Sequence, residues 1–99
     1  MNYILSYDIT SDRLRDRVAK KLMTLGCFRV QKSVFIGIHF SVKEIGVLKN
    51  NLNQLFHSKL KEDSDSFLCL PLTERQKNEM WWLSPDPFPK FEFDNAILL

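Results

Sequence analysis

The segment Asn2-Tyr3-Ile4-Leu5-Ser6-Tyr7-Asp8-Ile9 places a carboxylate close to the end of an apolar run. Its aromatic and branched aliphatic residues favour a β-strand, and the segment is too short for an ordinary helix. The following Thr10-Ser11-Asp12 breaks the pattern and supplies side chains that cap helices. Asp8 is therefore predicted at the end of a rigid strand, where functional side chains are often held. The alternative is that Asp8 only caps the next helix or pairs with an arginine.

Residues 12–25 are predicted to form an amphipathic helix. Leu14, Val18, Leu22 and Leu25 recur at helical spacing, and Gly26 is the expected C-terminal stop. A second face carries four cations, more than a surface helix needs: Arg13, Arg17, Lys20 and Lys21. We refer to these four residues as the basic stripe. Arg15 falls on the other flank of the apolar face, and Asp16 is placed to pair with Lys20 one turn later.

The next residues predict two strands and a second helix. Residues 27–40 are rich in Val, Ile and Phe, and they divide into two strands near Lys32-Ser33, or form one strand with a bulge at Gly37. Ser41 and Glu44 have capping-box spacing, and the apolar residues after them predict a helix to about residue 60.

The last third of the chain predicts a strand, a helical turn and a C-terminal extension. Residues 67–72 form the strand, with Pro71 expected at its end or on an unpaired edge, and residues 73–80 form a short helical turn. Three prolines in residues 85–89 predict a stiff, extended connector. Residues 90–94 alternate polar and apolar, as a half-buried strand does. Residues 1–84 are therefore predicted to be one domain, and residues 85–99 an extension that contacts another chain.

The predicted order is strand, helix, strand, strand, helix, strand. This order is the βαββαβ, ferredoxin-like α+β plan, in which an antiparallel sheet carries both helices on one face. The extra C-terminal strand is expected to join the sheet of a partner.

Composition narrows the functional classes. Residues 1–61 carry 11 Lys/Arg and 4 Asp/Glu, whereas residues 62–99 carry 3 and 8. A basic first half suits a polyanion such as nucleic acid, although solvated surface charge accounts for it equally well. Cys27 and Cys69 lack the spacing of a zinc site or disulfide framework. No membrane-length apolar run and no leader are recognised, so a cytoplasmic protein without membrane contact is expected.

Several of these segments together resemble the CRISPR-associated protein two family. The similarity lies in Tyr7-Asp8-Ile9, in the arginines of the first helix, in the segment 29–35 followed by Gly37, and in residues 65–72. It covers roughly residues 2–72. One departure is Ile36, because the family often has an acidic residue immediately before this glycine.

The resemblance implies a ferredoxin-like homodimer whose last strand joins the partner's sheet. It also implies a magnesium-dependent nuclease of RNA or DNA, and a central bridge for the CRISPR-associated integrase during spacer acquisition. By the same resemblance, Asp8 is the catalytic residue and metal ligand. The residues expected to support it are Tyr7, Arg15, Arg17, Arg29, Ser33 and Phe35.

The chemistry of one carboxylate per chain constrains the nuclease hypothesis. Magnesium commonly takes one or two carboxylates and fills its shell with water. A two-fold axis near the strand ends would pair two Asp8 side chains and create one Mg²⁺ site per dimer. The alternatives are a non-catalytic DNA-binding scaffold, a toxin-like ribonuclease, and a regulatory domain for a small ligand. A regulatory domain for a small ligand would leave the arginines without a role.

Overall fold

The structure, a computed structural model, describes residues 1–89. Its elements, in chain order, are β1 (Asn2–Asp8), α1 (Asp12–Thr24), β2 (Phe28–Gln31), β3 (Val34–Gly37), α2 (Val42–Leu55), β4 (Ser66–Leu72) and α3 (Glu74–Glu79). The strands form one antiparallel sheet in the order β2-β3-β1-β4. The predicted βαββαβ order is confirmed, and β1 lies inside the sheet with Asp8 at its end.

One hydrophobic core joins one face of the sheet to α1 and α2. The strands contribute Leu5 and Phe35, which face each other across β1 and β3. The apolar face predicted for α1 is buried together with that of α2. The largest fully buried side chains of the described residues are Phe35, Leu5, Leu14, Leu22, Ile36, Leu48 and Val18, and all but Ile36 belong to this core.

The predicted caps position both helices. Ser11 Oγ accepts the Leu14 N–H at 3.2 Å, so only three residues separate the end of β1 from the start of α1. The Ser41–Glu44 capping box is present at the start of α2. Because each cap satisfies N–H groups that the helix itself leaves unpaired, it fixes where the helix starts.

The hairpin of β2 and β3 turns at Lys32-Ser33, as predicted. Arg29 pairs with Phe35, whereas Gln31 pairs with Val34, so a bulge lies between Arg29 and Gln31. The expected alternative, one strand with a bulge at Gly37, is wrong. A bulge inserts one extra residue and thereby leaves a two-residue turn between the paired strands.

Helix α2 is shorter than predicted, because it ends at Leu55 and not near residue 60. The spacing from Leu55 to Leu60 is five residues, which departs from the helical period of three or four. Leu60 nevertheless packs against the core from the following loop.

The ion pair expected within α1, between Asp16 and Lys20, is wrong, since no ion pair joins them.

The sequence predicts a stiff, extended connector, but the connector bends back onto the domain. Trp82 donates its indole N–H to the Asp86 carbonyl at 2.9 Å, and its ring meets that of Phe88 edge-on with centroids 5.2 Å apart. Both rings line a cavity over Val34 and Ile36, on the sheet face opposite the helices. Proline restricts its own φ and the residue before it, which still permits bends between prolines. The strand predicted at residues 90–94 lies outside the described residues.

The two cysteines differ in burial. They are free thiols, Cys27 buried and Cys69 half-buried. Burial, with a smaller effect of the nearby Cys69, raises the pKa of Cys27 to about 12, so its reactive thiolate form is scarce at neutral pH. Within residues 1–89, no helix is long and apolar enough to cross a lipid bilayer.

Candidate functional site

A polar cleft of about 430 Å³ opens where β1 ends and the β2–β3 turn begins. It is lined by Tyr7, Asp8, Ile9, Arg15, Asp16, Arg29, Lys32 and Ser33. Five of these eight side chains carry formal charge at neutral pH, three positive and two negative. The cleft therefore combines a possible cation ligand with groups that bind phosphate.

Asp8 is exposed in this cleft and has no structural partner there. Its carboxylate takes no hydrogen bond and no ion pair within residues 1–89. The α1 cap is supplied by Ser11, so the alternative that Asp8 merely caps the helix is not supported. A carboxylate held on a rigid strand without a partner is available to a ligand.

Arg29 is held in place by two aromatic residues. Its Nη2 donates to the Tyr7 hydroxyl at 3.4 Å, and its Cζ lies 5.0 Å from the centroid of the Phe35 ring. The Tyr7 and Phe35 rings are themselves in contact, with centroids 6.1 Å apart. Because Phe35 is fully buried, it contributes to the site as the surface on which the guanidinium rests.

Arg15 reaches the cleft from α1. Its Nη1 donates to the Ile9 carbonyl at 3.3 Å, and its Nη2 contacts Asp12 Oδ1. Two partners therefore restrict this guanidinium beside the end of β1. Its charge is partly balanced by Asp12 before any ligand binds.

Arg17 does not line the cleft. It belongs to the exposed surface of α1 with the rest of the basic stripe, in which Lys21 alone is half-buried. No member of the stripe forms an ion pair within the described part of the chain. Arg17, which is predicted both to support Asp8 and to belong to the basic stripe, therefore lies with the stripe and outside the Asp8 cleft.

Asp65 fixes the loop that follows Asp8. Its Oδ1 accepts the Thr10 N–H at 2.9 Å and its Oδ2 accepts the Glu62 N–H at 2.8 Å. The residue is 8% exposed. These bonds, first the one from Glu62 and then the one from Thr10, lower the pKa of the Asp65 carboxyl. No local sequence pattern indicates this contact, because the partner at Thr10 is 55 residues away.

Asp65→Asn is expected to destabilise the fold by a few degrees near neutral pH, because the amide retains one acceptor oxygen and loses the charge. Since the folded-state pKa is lowered, the contribution of Asp65 is complete above the unfolded-chain pKa of about 3.9 and is lost as the pH falls through the folded-state value. Thermal unfolding should therefore show a deficit that shrinks in strong acid. Asp63→Asn, at an exposed position of the same loop, is the control, and an equal deficit in both variants would contradict this role.

The donor set of the cleft fits a weakly held hard cation. No group of three or more His, Cys, Asp or Glu that could cage a metal occurs in residues 1–89. Two carboxylates, those of Asp8 and Asp16, line the cleft. Magnesium commonly binds through one or two carboxylates and retains several waters. These residues therefore suit Mg²⁺ better than they suit zinc.

The cleft contains five of the seven residues that the resemblance implied. Four of them, Tyr7, Arg15, Arg29 and Ser33, line it beside Asp8. Phe35 lies beneath Arg29, and Arg17 lies outside. The sequence interpretation missed Asp16 and Lys32. Their signals were the position of Asp16 beside Arg15 on α1 and that of Lys32 in the hairpin turn.

Comparison with known sequences identifies the same family in each case. The profile of a family described as CRISPR associated protein Cas2 matches residues 1–80. The CRISPR-associated endoribonuclease Cas2 of Korarchaeum cryptofilum (strain OPF8) is 35% identical over 75 residues, covering 76% of this chain and 75% of that protein. The CRISPR-associated endoribonuclease Cas2 1 of Francisella tularensis subsp. novicida (strain U112) is 33% identical over 75 residues, covering 76% and 72%.

Comparison with solved structures supports the fold. Streptococcus pyogenes Cas2, in a crystal structure at pH 6.5, matches with a TM-score of 0.68 and 25% identity, over 85% of this chain and all of that one. A hypothetical protein TT1823 from Thermus thermophilus matches in fold with a TM-score of 0.69 and 24% identity, over 90% and 96% of the two chains. The predicted ferredoxin-like architecture is therefore confirmed.

Proposed function

Because this chain belongs to the Cas2 family of CRISPR-associated proteins, we propose that it acts as a homodimer that binds nucleic acid and bridges integrase subunits during spacer acquisition. Metal-dependent phosphodiester cleavage at the Asp8 cleft is the accompanying activity. The observation that carries the bridging role is the basic stripe, a row of cations on α1 that form no ion pair with any of residues 1–89.

The basic stripe supports binding to a duplex. Arg13, Arg17, Lys20 and Lys21 recur over about two helical turns, so they present cations along one line. Without ion pairs inside residues 1–89, these cations bind phosphates without breaking an existing interaction. A dimer would present two such rows about its axis, which suits a duplex whose backbones are related by two-fold symmetry.

The open face of the sheet supports a homodimer. Phe28, Leu68 and Leu70 lie on the strands and are 51%, 54% and 47% exposed. Strand β4 is an edge strand within the described sheet, with one side of its backbone available for pairing. Apolar surface of this kind and an exposed edge both favour association. In the proposed dimer, residues 90–94 of each chain pair with β4 of the other.

The Asp8 cleft supports cleavage as a second activity. Asp8 has no partner within residues 1–89 and stands among cations, and the named relatives are endoribonucleases. Asp8 would hold Mg²⁺ together with Asp8 of the second protomer, and the ion would supply positive charge for a phosphodiester. Arg29, fixed by Tyr7 and Phe35, and Arg15 orient the phosphate beside it.

Assembly is the direct test of the bridging role. The full chain should elute as a dimer. It should also form a complex with its integrase and a labelled duplex, and this complex should contain two copies of the chain. Truncation after Ser84 should weaken both dimer and complex, because it removes residues 90–94 and the apolar tail. Light scattering and native mass spectrometry measure both. An unchanged dimer after truncation would contradict the strand exchange, and a full-length dimer that never joins the integrase would contradict the bridge.

A further inference from the structure

The turn between β2 and β3 is fixed against the end of β1. The Tyr7 N–H donates to the Ser33 carbonyl at 3.1 Å, and the Tyr7 hydroxyl donates to the Lys32 carbonyl at 3.3 Å. Tyr7 is 6% exposed, so the residue that holds the turn is itself part of the core. The Cα position of Lys32 is consequently set by the same strand that presents Asp8.

The bulge in β2 also contributes to this position. Because Gln31 rather than Val30 pairs with Val34, Lys32 and Ser33 alone form the turn. A two-residue turn has few backbone conformations. The backbone of Lys32, and with it the direction in which its side chain leaves the turn, is therefore held more precisely than in an ordinary loop.

The three cations that line the cleft differ in what already holds them. Arg15 contacts Asp12 and the Ile9 carbonyl, and Arg29 bonds the Tyr7 hydroxyl over the Phe35 ring. The Lys32 ammonium group has no hydrogen bond and no ion pair within residues 1–89, although its side chain is exposed in the cleft. Of the three, Lys32 alone has all its donors available to a ligand.

We propose that Lys32 is a catalytic residue that binds a non-bridging oxygen of the scissile phosphodiester. This assignment rests on the proposed cleavage activity. In hydrolysis, water oxygen bonds to phosphorus, the bond from phosphorus to the leaving oxygen breaks, and a water proton ends on that oxygen. Negative charge on the non-bridging oxygens must be stabilised through this step. A lysine on a fixed turn beside Asp8 supplies a compact charge there, whereas the partnered arginines mainly orient the substrate.

Steady-state kinetics separate this role from general attraction of a polyanion. With the full chain, magnesium and a labelled oligoribonucleotide, Lys32→Met should lower kcat about 100-fold and change KM little, because the contact strengthens in the transition state. Lys32→Arg should restore part of kcat. Lys43→Met removes the same charge at the start of α2, at the far end of the sheet, and should leave both parameters unchanged. An unchanged kcat in Lys32→Met, including the case in which only KM rises, would overturn the proposal.

Binding of inorganic phosphate tests the same contact without cleavage. In chains carrying ¹³C at lysine Cε, phosphate with magnesium present should shift the Lys32 signal and not the Lys43 signal. If the chain proves unable to cleave, the proposed nuclease activity fails while this titration still decides whether Lys32 contacts phosphate. A Lys32 signal that does not move would overturn the assignment. A shift that persists in Asp8→Asn would support a direct contact between Lys32 and phosphate.

Discussion

Asp8→Asn is expected to reduce metal-dependent cleavage by at least about 100-fold, since a bound cation contributes several kcal/mol of charge stabilisation and each ~1.4 kcal/mol is tenfold in rate. The amide has the same shape, but it binds a hard cation far less well than a carboxylate does. Asp8 has no partner within residues 1–89, so the substitution should leave thermal stability nearly unchanged. Cleavage of labelled RNA and DNA and a melting curve measure the two effects separately.

The metal stoichiometry sharpens this prediction. Calorimetry should give about one Mg²⁺ per dimer for the unchanged chain, because the two Asp8 carboxylates share the ion. Asp8→Asn should abolish that binding, whereas Asp86→Asn, at an exposed position in the connector, should preserve both binding and cleavage. Full activity in Asp8→Asn would assign the cleavage to another site. One tight ion per chain would contradict the shared site.

Removing two charges of the basic stripe is expected to have the second large effect, on duplex binding. Each phosphate contact contributes about 0.9 to the slope of log affinity against log salt. The double variant Arg17→Gln with Lys20→Gln removes two contacts per chain and should flatten that slope by about two to four for a dimer. Glutamine keeps the helix propensity close to that of arginine and lysine, so α1 should remain folded. Fluorescence anisotropy over a range of salt concentrations measures the slope.

The matched control for the stripe lies on the other helix. The double variant Lys43→Gln with Lys49→Gln removes the same charge from α2, so it should change the slope much less. Asp8→Asn should retain duplex binding and integrase-dependent spacer capture. If Asp8→Asn abolished capture while the stripe variant did not, the catalytic role would replace the bridging role. Equal flattening by both double variants would indicate attraction by net charge alone.

Local sequence features were sufficient to predict the order of the elements in this chain. The aromatic and branched aliphatic residues of β1, the helical spacing of Leu14 and Val18, and the caps at Ser11 and Ser41 each act within a few residues. Strand and helix formation follow from such short-range preferences, so the βαββαβ order and the exposed stripe on α1 could be predicted. The position of Asp8 at the end of a strand followed in the same way.

The composition of the cleft depended on the tertiary structure. Tyr7 meets Lys32, and Thr10 meets Asp65, only because the sheet brings segments 25 and 55 residues apart into contact. The exclusion of Arg17 from the cleft follows from how α1 packs on the sheet, since its apolar face fixes the direction of every other side chain. The folded connector has the same origin. Long-range packing selects among several locally acceptable conformations, and a single sequence does not state which contacts will do so.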